Sequence, residues 1–215
     1  YDMVKSFTPI SLIASAPNLL VVNNDLPVKS VPELITYMKA NPNKITFSSA
    51  GTGSSDHLTA EILWDQTGTD GVHVPYKGGA PALNDLLAGQ VDLYFEAPAT
   101  IVSQIQAGKL RALAVTGQKR MASLPNIPTV TEQGFPKLTL ESWSAFVAPK
   151  GTPLAIIDRL RSEIEKIVKS EDFERKLEER GFDPLSISRA ELVRMIQIDD
   201  GRWAQVIKER RITVN

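Results

Sequence analysis

Short apolar runs and longer amphipathic patterns alternate along the first half of the chain. A short apolar run that ends at a turn is typical of a buried strand, whereas apolar side chains three or four residues apart are typical of a helix. Each predicted helix is long enough for a crossover, so the pattern predicts a mainly parallel sheet with helices on its faces. The predicted strands are residues 19–22, 45–49, 72–75, 91–95 and 110–115.

Local signals mark where several of these helices begin and end. Ser30 and Glu33 match a capping box, in which the serine accepts from a backbone N–H and the glutamate reaches back three residues. Ser188 and Glu191 repeat this pattern before the last predicted helix. Gly89 follows one helical pattern directly, as expected for a residue that ends a helix.

The C-terminal third is predicted to be helical, with few strands of its own. Apolar side chains share one face of a helix that begins near residue 154, and this face requires a sheet to cover it. Only residues 9–14 and 145–148 are predicted as strands for this part. The sequence therefore predicts one complete α/β domain and a second that lacks part of its sheet. The apolar face comprises Ile157, Leu160, Ile164, Ile167 and Val168.

Composition excludes several classes of function. The 215 residues carry a net charge of −1, which gives no electrostatic footprint for nucleic acid or an anionic membrane. There is no cysteine, so disulfides, thiolate metal sites and cysteine nucleophiles are excluded. Two histidines without clustered carboxylates make a metal site unexpected. No apolar run approaches the ~20 residues needed to span a bilayer.

The stretch "SSAGTGSS" is the first candidate for a binding site, because it follows a predicted strand and precedes a predicted helix. Gly51 and Gly53 allow a tight turn and a close approach to the backbone. The helix that follows begins with free N–H donors and a partial positive charge, which favours an anion. A simple strand-to-helix turn with a serine cap remains the alternative.

Enzyme motifs fit this stretch poorly. A P-loop needs four residues between its glycines and then a lysine, and a nucleophile elbow needs G-x-S-x-G. The dinucleotide fingerprint needs a third glycine near Asp56. His73 can be drawn with Glu96 and Lys77 as an acid–base set, although packing is the simpler interpretation. A small α/β hydrolase or transferase that uses His57 or His73 stays open as an alternative.

Two further strand-to-helix junctions follow the same logic. Lys77, Gly78 and Gly79 precede one predicted helix, and Glu96 precedes the next. Because ligands bind at the carboxyl ends of parallel strands, the three junctions are expected to form half of a polar cleft. For Lys77 the alternative is a surface salt bridge of little consequence.

Six blocks of the sequence, in order, resemble the Bug receptors, the substrate-binding proteins of tripartite tricarboxylate transporters. They are "YDMVKSFTPISLIASAPNLLVV", "FSSAGTGSSDHLTAEIL", "HVPYKGGAPALNDLLAGQVDLYFE", "GKLRALAVTGQKR", "LPNIPTVTEQGFP" and "SWSAFVAPKGTP". The resemblance implies a periplasmic α/β protein like the type II periplasmic binding proteins, with two lobes around a cleft. It implies a receptor that captures a small carboxylate for a membrane permease, without chemistry and without a cofactor or metal.

The resemblance also implies which residues bind the ligand. Family members more often have Asp or Asn where Glu96 stands, so pocket size or charge is expected to differ here. Dicarboxylates, tricarboxylates, acidic amino acids and aromatic acids are all ligands of the family. The implied ligand-binding residues are Ser49, Ala50, Gly51, Thr52, Gly53, Ser54, Ser55, His57, Lys77, Gly78, Gly79 and Glu96.

Family members begin with a long segment that carries the first strand of lobe one and a Pro-Gly-Gly loop, and the resemblance implies that this segment is missing here. We therefore expect residues 20–141 to form a complete lobe two, and residues 1–19 and 142–215 to form a remnant of lobe one. Exposed helix faces and unpaired strand edges in such a remnant favour self-association. Ligand binding by this chain is expected to be weak or absent.

Overall fold

The structure is a computed structural model and describes residues 2–213. The chain divides into two compact units, each with its own core. Unit 1 comprises Tyr1–Ala16 and Ser142–Gln205, and unit 2 comprises Pro17–Glu141 and Val206–Asn215. Whether unit 1 is a remnant of a larger lobe stays a prediction.

Unit 1 begins with a short helix and a long strand. Helix α1 spans Met3–Ser6, and the side chain of Asp2 caps it by accepting from the backbone N–H groups of Val4 and Lys5. Strand β1 spans Phe7–Pro17 and is largely buried.

Unit 2 confirms the predicted alternation of strands and helices. Each helix is preceded and followed by a strand, and most bounds agree with the apolar pattern within a few residues. The elements are β2 (Leu19–Asn23), α2 (Val31–Ala40), β3 (Thr46–Ser49), α3 (Ser55–Thr67), β4 (Val72–Pro75), α4 (Gly79–Leu87), β5 (Leu93–Glu96), α5 (Pro98–Gln106) and β6 (Leu110–Val115).

The sheet of unit 2 is mixed, so the prediction of a mainly parallel sheet is wrong for one of its five strands. Its strand order is β4-β3-β5-β2-β6. Strand β3 is parallel to β4 and to β5, but β2 is antiparallel to both of its neighbours, β5 and β6. All five residues of β2 are buried. An apolar run indicates that a strand is buried but not which way it runs relative to its neighbours. The sequence pattern therefore does not distinguish this strand from a parallel one.

Side chains of β2 alternate between two apolar clusters, one on each face of the sheet. Leu20 and Val22 pack with α2 and α3 residues around Trp64. Leu19 and Val21 pack with α4 and α5 residues such as Leu86 and Ile101, among others. Helices therefore cover both faces, as an α/β domain requires. The sheet edge at the carboxyl ends of β3, β4 and β5 is left to the loops.

Unit 1 has a three-stranded sheet with helices packed on it. The order is β7-β1-β8, with Ala14 of β1 opposite Pro184 of the antiparallel β8. The two predicted strands lie within β1 and β7, while β8 was not predicted because two residues carry no readable alternation. The further elements are β7 (Glu141–Pro149), α6 (Leu154–Val168), α7 (Glu171–Glu178), β8 (Asp183–Pro184) and α8 (Arg189–Glu209).

The predicted inward face of α6 is only partly correct. Ile157 and Val168 are buried, and Ile157 packs with Ile10 and Ala148 of the sheet. Leu160 and Ile167 are 42% and 54% exposed. They lie roughly 60° or more around the helix from Ile157, given 3.6 residues per turn. The small sheet covers a narrower stripe than the apolar pattern implies.

Both predicted capping boxes are present. Ser30 Oγ accepts from the Glu33 N–H, and Glu33 Oε2 accepts from the Lys29 N–H at 2.8 Å, one residue further back than predicted. At α8, Glu191 Oε2 accepts from the Ser188 N–H at 2.8 Å and Ser188 Oγ accepts in return. Within residues 2–213, no helix is both long enough and apolar enough to cross a bilayer.

Candidate ligand-binding site

Three loops meet at one edge of the unit 2 sheet, because β3, β4 and β5 run in the same direction. They are residues 49–55, 75–79 and 96–98, and together we name them the junction edge. The first two are joined directly by backbone hydrogen bonds. The Tyr76 N–H donates to the Ser49 carbonyl, and the Gly78 N–H donates to the Ala50 carbonyl, each at 2.9 Å. The predicted proximity of the three junctions is therefore present in the structure.

The first loop, residues 49–55, satisfies several of its own backbone N–H groups. Asp56 Oδ2 accepts from the Ala50 N–H at 2.6 Å, and Ser49 Oγ accepts from the Gly51 N–H at 3.2 Å. Gly53 has a φ of 83°, a region that favours glycine. Its N–H donates to a ring nitrogen of His57 at 3.0 Å. These N–H groups hold the loop in shape and are not available to a ligand.

The start of α3 is the part of the loop that stays open. Ser54 is the N-cap residue but makes no side-chain cap bond, because its hydroxyl donates to the Gly51 carbonyl at 2.5 Å. The first N–H groups of a helix have no partner within the helix, and this end carries partial positive charge. Ser55 is exposed beside them and Thr52 is half-buried. The start of α3 therefore has the features of an anion site, with backbone donors that no side chain caps and the exposed Ser55 beside them.

Ser49 and His57 lie beneath the loop and not on its surface. Ser49 is fully buried and His57 is 3% exposed. The rings of His57 and His73 stack with centroids 3.8 Å apart and planes 6° apart. Phe47 contacts both rings, with centroids 4.9 Å from His73 and 6.0 Å from His57. His73 Nε2 lies 2.6 Å from Ser49 Oγ.

A charged cluster supports the histidine pair from α3 and the C-terminal segment. Glu61 Oε1 lies 3.4 Å from His57 Nε2, and Arg210 donates to the other oxygen of Glu61 and to Asp70. Burial alone raises the pKa of Glu61, but hydrogen bonds from His57 and Arg210 outweigh it and hold the pKa below its usual value. Burial, and then repulsion from His57 whenever that ring is protonated, lower the pKa of His73 to about 4.

The third junction contributes a carboxylate in a crowded position. Glu96 Oε1 accepts from the Ala97 N–H at 2.7 Å. A Cβ on Gly79 would lie 2.8 Å from Glu96 Oε2 and 3.2 Å from the Tyr94 hydroxyl, so a larger residue would require one of these side chains to move. Burial, and then the charge of Asp56, raise the pKa of Glu96. Burial and Glu96 together raise the pKa of Tyr94.

The structure brings together most of the predicted site residues, but some lie at the surface of the loops and others lie buried beneath them. Lys77 is exposed and Gly78 is half-buried beside the first loop, whereas Ser49 and His57 lie under it. The acid–base set of His73, Glu96 and Lys77 does not assemble: His73 bonds to Ser49, and Glu96 bonds to the backbone of Ala97. Among the described residues, no group of three or more His, Asp or Glu side chains could hold a metal ion.

Sequence reasoning missed several residues that shape the edge. An acidic residue in the first turn of a helix after a Gly- and Ser-rich loop is a readable capping signal, and Asp56 carries it. Tyr94 and Glu61 occupy strand and helix positions that read as ordinary core or surface. Arg210 lies 149 residues from Glu61, so no local pattern joins them.

Comparisons with known proteins agree with this architecture. The family model described as "Tripartite tricarboxylate transporter family receptor" matches residues 1–212. A protein from the tcbD–tcbE intergenic region of Pseudomonas sp. strain P51 is 34% identical over 216 residues, which is 100% of this chain and 64% of that protein. The chain therefore spans about 64% of the length of this relative.

Two solved structures share the fold over nearly the whole chain. Rpa4515 of R. palustris, solved with adipate, is 37% identical with a TM-score of 0.90, and the match covers 99% of this chain and 71% of that one. The periplasmic binding protein BugD is 33% identical with a TM-score of 0.85, and the match covers 96% of this chain and 70% of BugD.

Proposed function

Because the chain belongs to the family of tripartite tricarboxylate transporter receptors, we propose that unit 2 binds a small carboxylate at its junction edge. The observation that carries this proposal is the open start of α3 within the first loop. Ser54 leaves the first helical N–H groups uncapped by a side chain, and Ser55 stands exposed beside them. A carboxylate that accepts from these groups interacts favourably with the helix dipole as well.

Each predicted residue has a place in this proposal. Thr52 and Ser55 donate hydroxyl hydrogen bonds, and Lys77 supplies positive charge at the rim. Ala50, Gly51, Gly53 and Ser54 shape the loop, and Ser49 and His57 support it from below. Gly78 and Gly79 bring the second junction close to the first and third.

Glu96 makes the third junction of the edge, after β5, acidic. Asp56 and Glu96 already place two carboxyl groups there, and the raised pKa of Glu96 reflects burial and their mutual repulsion. A ligand therefore meets donors near α3 and an acidic side chain near β5. A ligand with a carboxylate at one end and a hydrogen-bond donor at the other could therefore bind the donors near α3 and the acidic side chain near β5 together.

The role of the whole protein is proposed from its family. The adipate in the R. palustris relative makes dicarboxylates the first class to examine. BugD is a periplasmic binding protein, which supports a periplasmic location for this one. Because the family comprises receptors of tripartite tricarboxylate transporters, we propose that the bound acid is delivered to a membrane permease.

The hydrolase hypothesis has one observation in its favour, the 2.6 Å contact between Ser49 Oγ and His73 Nε2. Ser49 has no exposed surface, however, and its hydroxyl already bonds the backbone of Gly51. A nucleophile must reach the reacting carbon of its substrate, and Ser49 is covered by the loop. We therefore propose binding without turnover.

Substitutions at Ser55 test the binding proposal. Titration calorimetry with a panel of organic acids that includes adipate gives the reference affinity. Ser55→Ala removes one hydrogen bond to a charged group, worth about 1.5–3 kcal/mol, and is expected to weaken binding about tenfold or more.

Ser55→Asp separates binding from stability. A negative charge in the first helical turn stabilises the helix by about 0.3–1 kcal/mol, but it repels a bound carboxylate. We expect an unchanged or higher Tm together with loss of binding. Ser162→Ala, at an exposed position of α6, is the matched control for Ser55→Ala and should leave binding unchanged. Unaltered affinity in Ser55→Asp would place the ligand elsewhere, and turnover of any acid would contradict a receptor.

A further inference from the structure

The two histidines of the chain form a stacked, largely buried pair that contacts the first loop at two points. The His57 and His73 rings are 3.8 Å apart with nearly parallel planes. One ring nitrogen of His57 accepts from the Gly53 N–H. His73 Nε2 contacts Ser49 Oγ, which in turn accepts from the Gly51 N–H. Both imidazoles are therefore connected to the backbone of the loop.

These contacts specify the protonation state of His57. Its Nδ1 accepts a hydrogen bond from an N–H group and must be unprotonated. The ring proton then lies on Nε2, which faces Glu61 Oε1 at 3.4 Å. A second proton on Nδ1 would place two donors, the ring N–H and the Gly53 N–H, against each other.

We propose that His57 and His73 are positioning residues, and that the first loop keeps its ligand-binding conformation only while His57 is neutral. Acidification protonates His57, breaks the bond from the Gly53 N–H and releases the loop. The consequence for a ligand rests on the proposed function, since it assumes that the carboxylate binds beside this loop.

The charged groups around the pair determine how readily it accepts protons. Glu61 on α3 faces His57, and the charges of Glu61 and Asp56 on the same helix both favour the protonated form of His73. Arg210 of the C-terminal segment neutralises part of this effect by pairing with Glu61, and it binds Asp70 as well. Two charged imidazoles in contact repel each other. The depressed pKa of His73, about 4, agrees with a pair that resists double protonation.

A pair that serves only as packing would behave differently. Its protonation would lower the stability of unit 2 as a whole, but it would not single out the hydrogen bond of Gly53. The discriminating measurements are therefore the states of the two rings and of the Gly53 amide in the folded protein.

The first experiment needs no ligand. Long-range ¹H–¹⁵N NMR of the histidine rings reports the tautomer and protonation of each ring, and the amide spectrum reports Gly51 and Gly53, from pH 8 to pH 4. We expect an Nε2-protonated His57 at pH 8. We expect the Gly53 amide to lose its hydrogen-bonded shift in step with ring protonation. A Gly53 amide that stays constant while the rings titrate would overturn the proposal.

Two substitutions remove the titration but keep a hydrogen-bond partner. His57→Asn places an amide oxygen near the position of Nδ1, so it can still accept from Gly53 at every pH. If His57→Asn does not fold, His73→Gln is the second variant. It reaches toward Ser49 as Nε2 does but leaves His57 to titrate, so its Gly53 amide should still respond to pH. We expect the Gly53 amide to become independent of pH in His57→Asn. A wild-type pH profile in that variant would contradict the proposal.

Binding of adipate at the same pH values forms the second experiment. Protonation of adipate itself weakens binding equally in the wild type and in His57→Asn. Between pH 7 and pH 4 we expect the affinity of the wild type to fall at least tenfold more than that of His57→Asn. Equal pH dependence in the two proteins would refute the effect on ligand. If adipate and the rest of the acid panel bind at no pH, the proposed function fails, while the NMR experiment still decides the positioning role.

Discussion

At the scale of single residues, the junction edge depends on side chains whose partners are backbone atoms. Asp56 accepts from the Ala50 N–H, and Glu96 accepts from the Ala97 N–H. Such contacts fix the main chain around a site instead of touching a ligand. A substitution here is therefore expected to act through geometry, and tests must separate altered shape from lost contact.

Gly79 offers a direct test of the crowding around Glu96. Gly79→Ala would place a methyl group 2.8 Å from Glu96 Oε2, so the carboxylate or α4 must shift. Overpacking of this kind costs about 1–3 kcal/mol, which urea denaturation would detect as a lower midpoint. Gly201→Ala in α8 is the matched control, because no atom lies within 4 Å of its added Cβ. It should instead stabilise by about 0.5–1 kcal/mol.

The raised pKa of Glu96 predicts a pH-dependent effect of Glu96→Gln. A carboxyl whose folded pKa is raised binds more protons in the folded state than in the unfolded state, so stability falls as pH rises past the unfolded pKa. The glutamine variant lacks this loss and keeps an oxygen for the Ala97 N–H. We expect a higher Tm than wild type at pH 8 and a difference that narrows toward pH 4.

Differential scanning fluorimetry across pH checks this expectation. One kcal/mol moves the Tm of a chain of this size by about 2–4 °C, which is readily measured. A variant less stable than wild type at pH 8 would mean that the charged form of Glu96 stabilises the fold.

At the scale of elements, the sequence predicts the features that depend on the burial pattern or composition of a short local segment. The helices and strands of unit 2 follow from apolar periodicity, and the Gly- and Ser-rich loop is visible because its composition is local. The direction of β2, the two-residue β8 and the outward stripe of α6 depend on which partners an element meets. The same is true of the site: the loop is predictable, but Tyr94 and Arg210 reach it only through tertiary contacts.

The C-terminal segment after α8 provides a prediction at this scale. Arg210 pairs with Glu61, whose side chain is 11% exposed, and with Asp70. Removing the partner of a buried charge is costly, so Arg210→Ala is expected to destabilise unit 2 by about 2–3 kcal/mol. Arg210→Lys keeps the charge but cannot bond two carboxylates with a planar fork, and should show an intermediate loss.

Urea denaturation followed by the fluorescence of Trp64, which is buried in the unit 2 core, suits this comparison. The other tryptophans, Trp143 and Trp203, are replaced by phenylalanine in every protein compared. Equal midpoints for the parent protein and Arg210→Ala would show that water already satisfies Glu61.

At the scale of the whole molecule, the exposed apolar surface of α6 predicts association. Ile156, Leu160 and Ile167 are 50%, 42% and 54% exposed and share one stripe of the helix. Apolar stripes of this kind are typical of interaction surfaces. We expect sedimentation velocity to show concentration-dependent self-association, and Leu160→Lys with Ile167→Lys to reduce it. A monomer at high concentration in the parent protein would contradict this prediction.

The antiparallel strand β2, which is fourth in the five-stranded sheet of unit 2, has a consequence for how the chain folds. Strand β2 lies between β5 and β6, whose residues follow it by about seventy positions or more, so its pairing requires a long loop to close. The parallel strands β3, β4 and β5 can meet earlier. The first strand of unit 2 to leave the ribosome is therefore among the last to find its place, and unit 2 is expected to fold slowly for its size.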